Sequence, residues 1–386
     1  MTDVLIGLAL LASLAAAGVL VIRARAAART PMPPLARAAA QGARALQPLS
    51  PPHRSTAASA SPRAQAQTPM PVELAQFSWA GPDTLAAERQ QALVDAIRNI
   101  PRPPAALHQL LSPQFLARAN SNELSDLITG EVRIAAKVLA TVNSPFYGLK
   151  QPVSSIGQAV TFLGLNTVRG ICLQYLLDDS FKPGNDTLKR AYDQIWAASA
   201  LASELCAQLS PRLSIVDSGA LVAQVLLSFL GHLATASLML QQRGETPPAA
   251  DLLSRTRWAQ QRLGLGAGEI GGLLLQEWGL PSAIVDEVRA IDRLLVTPVG
   301  SLPPQRGQRL AVAYLCARLG ERLAQTDGSD PADLSGFDLG AETGADFFHL
   351  RGHLSAPALA KLNDHLRATD LNRSLQPLRE AMRARR

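Results

Sequence analysis

The sequence predicts an all-α body carried behind a single N-terminal transmembrane helix and a disordered tether, and three observations predict it. Hydrophobic residues make up 47% of the 386 positions but aromatic residues only 4%, so the core is aliphatic and rich in Leu and Ala. Strands favour β-branched and aromatic residues, so that balance leans to helix. Apolar residues of the body recur at three- and four-residue spacing, and no stretch alternates as a half-buried strand does. Val4 to Ile22 is an unbroken run of 19 apolar or small residues. As a helix it would reach roughly 28 Å, close to the ~30 Å of a bilayer core.

The flanks of that run set its expected role. Only Met1, Thr2 and Asp3 precede it, whereas Arg23, Arg25 and Arg29 follow at once. A cleaved signal peptide carries its positive charge before the apolar stretch. Charge after it predicts a retained anchor, residues 1–29, with the C-terminal side in the cytoplasm. The expected location is therefore the inner membrane, single-pass, with contact through residues 4–22. Ala9, Ser13 and Ala17 recur every four residues, a spacing that would let two anchors pack as a weak homodimer.

Residues 30–84 are expected to be a linker. Thr30 to Pro71 holds nine prolines among Ala, Ser, Gln and Arg, too little apolar surface to offset chain entropy. Charge argues against nucleic acid as a partner. The first 70 residues hold seven arginines and one acid, Asp3, which accounts for the whole net charge of +6. A neutral body lacks the basic face that duplex binding requires. Cys172, Cys206 and Cys316 lie far apart and form no CxxC, which excludes a disulfide-stapled fold and a thiolate zinc finger.

The body then reads as successive helices. Leu93, Ala96, Ile97 and Ile100 share one face, and Pro101, Pro103 and Pro104 stop that helix. Leu124, Leu127 and Ile128 form a face ending near Gly130, and Ile134, Val138 and Val142 form the next. That helix breaks at Asn143-Ser144-Pro145, where Asn143 and Ser144 can bond the freed backbone groups. Gly148 permits positive φ. Ser154 or Ser155 would cap a helix holding Ile156, Ala159 and Val160 and closed by Gly164, and Asn166 would cap the one after it.

These blocks resemble a known family. Glu131 to Gly148, with Asn143-Ser144-Pro145-Phe146-Tyr147-Gly148 at its end, looks like the signature of HDOD domains, the HD-related output domains. Val153 to Ile156 and Phe162-Leu163-Gly164 follow at the family's distance, and Ile100 to Pro104 matches its Pro-rich opening. Glu269-Ile270-Gly271 and Leu274 to Pro281, including Trp278, match its later block. The resemblance implies two helical lobes, residues 85–182 and an HD-phosphohydrolase-like lobe at 183–325, before a loop, C-terminal helix and basic tail at 326–386. It also implies a bacterial signalling or regulatory module.

A working HD site needs His and Asp ligands for a divalent metal that activates water toward a phosphate ester. At the positions that match, this chain has Ala198, Ser228, Phe229, Ala267, Ile291 and Asp292. The resemblance therefore implies no metal, no catalytic residue and no cofactor. His232, with no carboxylate beside it in sequence, reads as a core or boundary histidine.

Two further patterns suggest chemistry. Gly266 to Gly271 is a literal GxGxxG, but a helix rather than a strand precedes it, so it reads as a loop and close packing. Glu342, Asp346, His349 and His353 would share a helix face and could hold a divalent ion; a solvated polar face is the simpler reading. Leu359, Leu362 and Leu366 point inward from a last helix at 357–367, and five arginines against Glu380 make residues 371–386 a solvated basic end.

The functional expectation is a membrane-anchored, non-enzymatic module that binds signalling proteins. The alternative is a residual metal-dependent phosphohydrolase acting on a nucleotide or cyclic dinucleotide.

Overall fold

The computed structural model describes residues 69–386 apart from 119, 145–146, 148, 246, 249, 326–332, 356–358 and 385–386. The expected anchor, most of the linker and Gly148 lie outside the described residues. Every regular element described is a helix: α1 Val72–Ala75, α2 Ala87–Arg98, α3 Ala106–Leu110, α4 Pro113–Arg118, α5 Ser121–Thr129, α6 Val132–Val142, α7 Ile156–Leu163 and α8 Leu165–Asp178. Then come α9 Asp186–Arg212, α10 Ser218–Ser228, α11 Leu230–Arg243, α12 Leu252–Leu263, α13 Ala267–Glu277 and α14 Ser282–Arg293. The last are α15 Pro304–Ala324, α16 Ala345–Leu354, α17 Leu362–Arg367 and α18 Thr369–Ala384.

Periodic apolar residues bury as the spacing requires. On α6, Ile134, Val138 and Val142 are buried at successive i, i+4 positions. The helix ends at Asn143, whose side chain holds a later segment: its Nδ2 donates to the Val153 carbonyl (2.8 Å) and its Oδ1 accepts from the Val153 amide (2.7 Å). Ser144 Oγ donates to the Thr141 carbonyl (2.6 Å), closing the last turn. Ser155 caps α7 by accepting from the Gln158 amide. Gly164 joins α7 to α8 at φ +86, a conformation that L side chains rarely adopt. Asn166 does not cap α8, because the helix starts one residue earlier, at Leu165.

The buried residues form two clusters. The first gathers α2 to α8 with parts of α9, α10, α11, α13 and α14. The second gathers α9, α10, α15 and the C-terminal helices. Ile195 on α9 packs against both. The segment Ser218–Leu240 is long and apolar enough to cross a membrane, but it lies almost wholly inside the fold and turns at Phe229. It is a core element.

Two expected boundaries shift. The described end of the expected linker packs on the body: Leu74 is buried, and Arg257 and Gln260 donate to the carbonyls of Glu73 and Ser78. The basic end is also helical. Leu371 and Leu375, one turn apart on α18, are buried, and Asp370 pairs with Arg212 at 2.9 Å. A buried leucine stripe outweighs the tail's charge.

Candidate functional site

The site forms where α9, α11, α13, α14 and α15 converge. Close backbone packing brings α11 and α13 together: a Cβ on Gly231 would lie 1.9 Å from the Ala267 carbonyl oxygen, and one on Gly271 would meet Gly231 at 2.9 Å. Gly271 therefore serves helix packing. Gly266 lies before α13, after α12, and no strand leads into it among the described residues.

That crossing places His232, in the first turn of α11, beside the last turn of α14. His232 Nε2 lies 3.3 Å from Asp292 Oδ2. The carboxylate's other oxygen, Oδ1, lies 3.3 Å from Arg318 Nη2 on α15. Arg318 Nη1 continues to Glu321 Oε2 at 3.1 Å, and Glu321 Oε1 meets Arg255 Nη2 of α12 at 2.6 Å. A chain of polar and charged groups thus runs His232, Asp292, Arg318, Glu321, Arg255. Asp292 and Arg318 are 1% and 5% exposed.

The charges sustain one another. Burial alone would raise the Asp292 carboxyl. The His232 bond and the charges of His232, Arg318 and Arg255 outweigh it and hold Asp292 below the ordinary aspartate value. Glu321 is held low in the same way, against burial, by Arg255, Arg318 and His232. Burial works against the Arg318 cation, but Glu321 and Asp292 raise its pKa. Asp346 goes the other way: burial pushes it up, despite Arg318 and the amides of Leu252 and Leu253, which it accepts at 2.8 and 3.1 Å.

A cavity of about 130 Å³ adjoins this chain. Ala198, Phe229 and Ala267 form part of its wall, with His232, Arg255 and Glu321 beside them. Three of the ligand-matched positions therefore meet in space, as apolar groups. Ser228 is turned to its own helix, donating to the Val225 carbonyl at 2.7 Å. Ile291 is fully buried in the second core cluster.

This donor set does not fit a divalent metal. One imidazole and one carboxylate face each other, and a guanidinium occupies the carboxylate's second oxygen. A metal needs several convergent N or O donors, and no group of three or more His, Cys, Asp or Glu stands together among the described residues. The Glu342 quartet does not converge either. Glu342 precedes α16 and pairs with Arg322 (2.6 Å), and His353 Nε2 meets the Thr297 carbonyl at 3.0 Å.

The other residues singled out in sequence hold the fold. Glu269 is 1% exposed; it accepts from Trp79 Nε1 (2.9 Å) and Arg293 Nη2 (2.6 Å). Trp278 packs edge-on to Phe181 at 6.3 Å, and its carbonyl meets His108 Nε2 at 2.8 Å. Pro281 precedes α14 as its N-cap residue. Tyr147 is half-buried, and its hydroxyl pKa is raised by burial and then by the Glu204 charge.

Sequence reasoning missed Arg318, Glu321 and Arg255. The available signal was charge on an otherwise buried stripe: Arg318 falls four residues after Tyr314, itself four after Leu310. It likewise missed Asp292 as a partner of His232, because the two meet only when α11 and α14 both pack against α13.

Residues 100–294 match the family model for the HDOD domain. A Treponema pallidum (strain Nichols) protein described as uncharacterized is 24% identical over 211 residues, 51% of this chain. The chain spans only 38% of the length of that relative. The crystal structure of an HDOD domain protein of unknown function from Geobacter sulfurreducens is similar over 76% of this chain and 97% of its own, at 18% identity and a TM-score of 0.50. That of a candidate phosphohydrolase from Shewanella amazonensis SB2B is similar over 75% and 98%, at 17% identity and a TM-score of 0.46. At such identities the likeness is one of fold.

Proposed function

We propose that this chain, which belongs to the HDOD family, is a membrane-anchored regulatory module that acts by binding signalling proteins rather than by catalysis. The observation that carries the reading is the Arg318 guanidinium on Asp292. A fixed cation holds the second oxygen of the carboxylate that pairs with His232, and Ala198, Phe229 and Ala267 present no donor at the adjoining cavity. Activating a water toward a phosphate ester requires a metal or a base open to solvent. Here the acid and base groups are spent on one another.

An HD-like scaffold freed of that chemistry can keep its shape and serve as a binding surface. The Asn143–Val153 clasp ties the end of α6 to the segment before α7. The apolar run at residues 4–22 would hold the module at the inner membrane, with the body in the cytoplasm and Arg23, Arg25 and Arg29 at the inner face. Paired anchors would give bivalent partner binding without new contacts.

The test is cross-linking of the full chain in its native membrane, with turnover of phosphodiesters assayed on the same preparation. The reading expects a specific protein partner and no turnover. Turnover without a partner overturns it.

A further inference from the structure

Arg169 on α8 is a buried cation with no counter-charge among the described residues. It is 2% exposed, makes no salt bridge among the described residues, and its Nε meets no hydrogen-bond partner. Its guanidinium rests over the Phe115 ring at 5.7 Å. Burial lowers its pKa; only the Cys172 thiol opposes the shift, and no carboxylate contributes. Such a group is costly to hold in a fold unless something anionic meets it.

The start of α10 faces it. Gly219 is the second residue of that helix, and a Cβ there would lie 2.5 Å from Arg169 Nη1. The guanidinium is therefore laid against the helix's first turn. That turn is uncapped. Asp217 occupies the N-cap position in the left-handed region, at φ 54 and ψ 45, and its side chain accepts no bond from the helix. An N-cap residue ordinarily needs extended backbone to turn its oxygen onto the N2 or N3 amide. The first α10 amide with a helical acceptor is Leu221, bonded to the Asp217 carbonyl at 3.1 Å. The amides of Ser218, Gly219 and Ala220 precede it, and all three residues are half-exposed.

The surroundings are cationic. Arg309 Nη1 donates to the carbonyls of Val216 (2.7 Å) and Asp217 (3.2 Å), at the same helix end, and its Nη2 donates to Gln224 Oε1 (3.0 Å). The opposing charges are few. Asp217 is exposed to solvent, and Glu204 on α9 is engaged by Thr167 and Gln208. Amides at a helix N-terminus, the positive end of the helix dipole and an arginine fork are together the donors that bind oxyanions. A second guanidinium at the same end favours a ligand of higher charge with several oxygens.

We propose that Arg169 and the first turn of α10 form a binding site for a small phosphate dianion in solution. The site lies apart from the His232–Arg255 ion-pair chain and does not depend on the function proposed above. The fork of Arg169 would take two oxygens, and the amides of Ser218 to Ala220 the others. A side chain at Gly219 would collide with the guanidinium and crowd Asn166 Oδ1 and the Leu116 carbonyl oxygen, which lie 3.2 and 3.5 Å from the Cβ position.

The test is calorimetric titration of the full chain with inorganic phosphate, alongside the same titration of Arg169→Met. The wild type should bind one phosphate per chain, and the variant at least tenfold more weakly. A measurement that needs no variant accompanies it: the amide resonances of Ser218, Gly219 and Ala220 should move on adding phosphate to the wild type. Absence of saturable binding, equal binding by Arg169→Met, or phosphate-induced shifts that spare those three amides would each overturn the proposal.

Discussion

The Arg318 guanidinium and the Asp292 carboxylate pair at 3.3 Å in the interior, on the oxygen that His232 leaves open. Buried pairs of this kind are costly to assemble and more costly to break. Replacing Arg318 with Leu strands one oxygen of Asp292 and one of Glu321, which keep only His232 and Arg255 respectively. The expected loss is about 3–5 kcal/mol of unfolding free energy, read from urea denaturation. Adding Asp292→Asn to that variant should recover part of it, because one stranded charge is removed.

Acid should weaken the fold through the same groups. Asp292 and Glu321 have folded pKa values below their ordinary ones, near 3.9 and 4.3 respectively. The unfolded chain therefore takes up protons first. The stability they contribute is full above those ordinary values and is lost as pH falls through the depressed ones. Asp346, whose pKa is raised, works the opposite way and offsets part of the loss. Unfolding free energy measured between pH 7 and pH 3 should fall for the wild type. The fall should be shallower for Arg318→Leu, in which the depressing cation is gone.

Asn143 should matter more to stability than its surface-polar chemistry suggests. Its amide satisfies both backbone groups of Val153, a residue 4% exposed. Asn143→Ala leaves a buried N–H and a buried carbonyl unpaired, at an expected cost of roughly 1–3 kcal/mol. Hydrogen exchange at the Val153 amide should accelerate in that variant. Unchanged exchange would mean that the clasp is not what orders this loop.

The segment around Trp79 should detach when its anchor is weakened. Trp79 Nε1 donates to Glu269, which Arg293 also holds. Trp79→Phe keeps an aromatic ring, though a smaller one, and removes the donor. Limited proteolysis should then cut residues 69–84 faster while the rest of the body stays resistant.

Much of the helical order was legible in the sequence because period, caps and breakers act locally. Ile134, Val138 and Val142 announce their face, and Gly130 and Gly164 their ends. The block from Glu131 to Gly148 announces the family. The buried chain was not legible, because it is assembled from α11, α12, α14 and α15, whose contacts depend on how helices cross. His232 has no acidic neighbour in sequence; its partner arrives through the packing of α11 on α13 at Gly231–Gly271 and of α14 on α13 at Gly268. The C-terminal helix was hidden by its arginines, although Leu371 and Leu375 carry its buried stripe.

Topology can be checked independently of the fold. A reporter fused after Arg386 should register in the cytoplasm, and the mature chain should retain Met1 or Thr2. A periplasmic form lacking residues 1–22 would contradict the anchor.

The most direct measurement combines metal content with hydrolysis. The full chain, purified with Mn²⁺ or Mg²⁺ present, is analysed for bound metal and assayed on a model phosphodiester and on cyclic dinucleotides. The non-catalytic account predicts no stoichiometric metal and no turnover. Metal-dependent turnover that His232→Ala or Asp292→Asn abolishes, in a variant that still unfolds cooperatively, would contradict it.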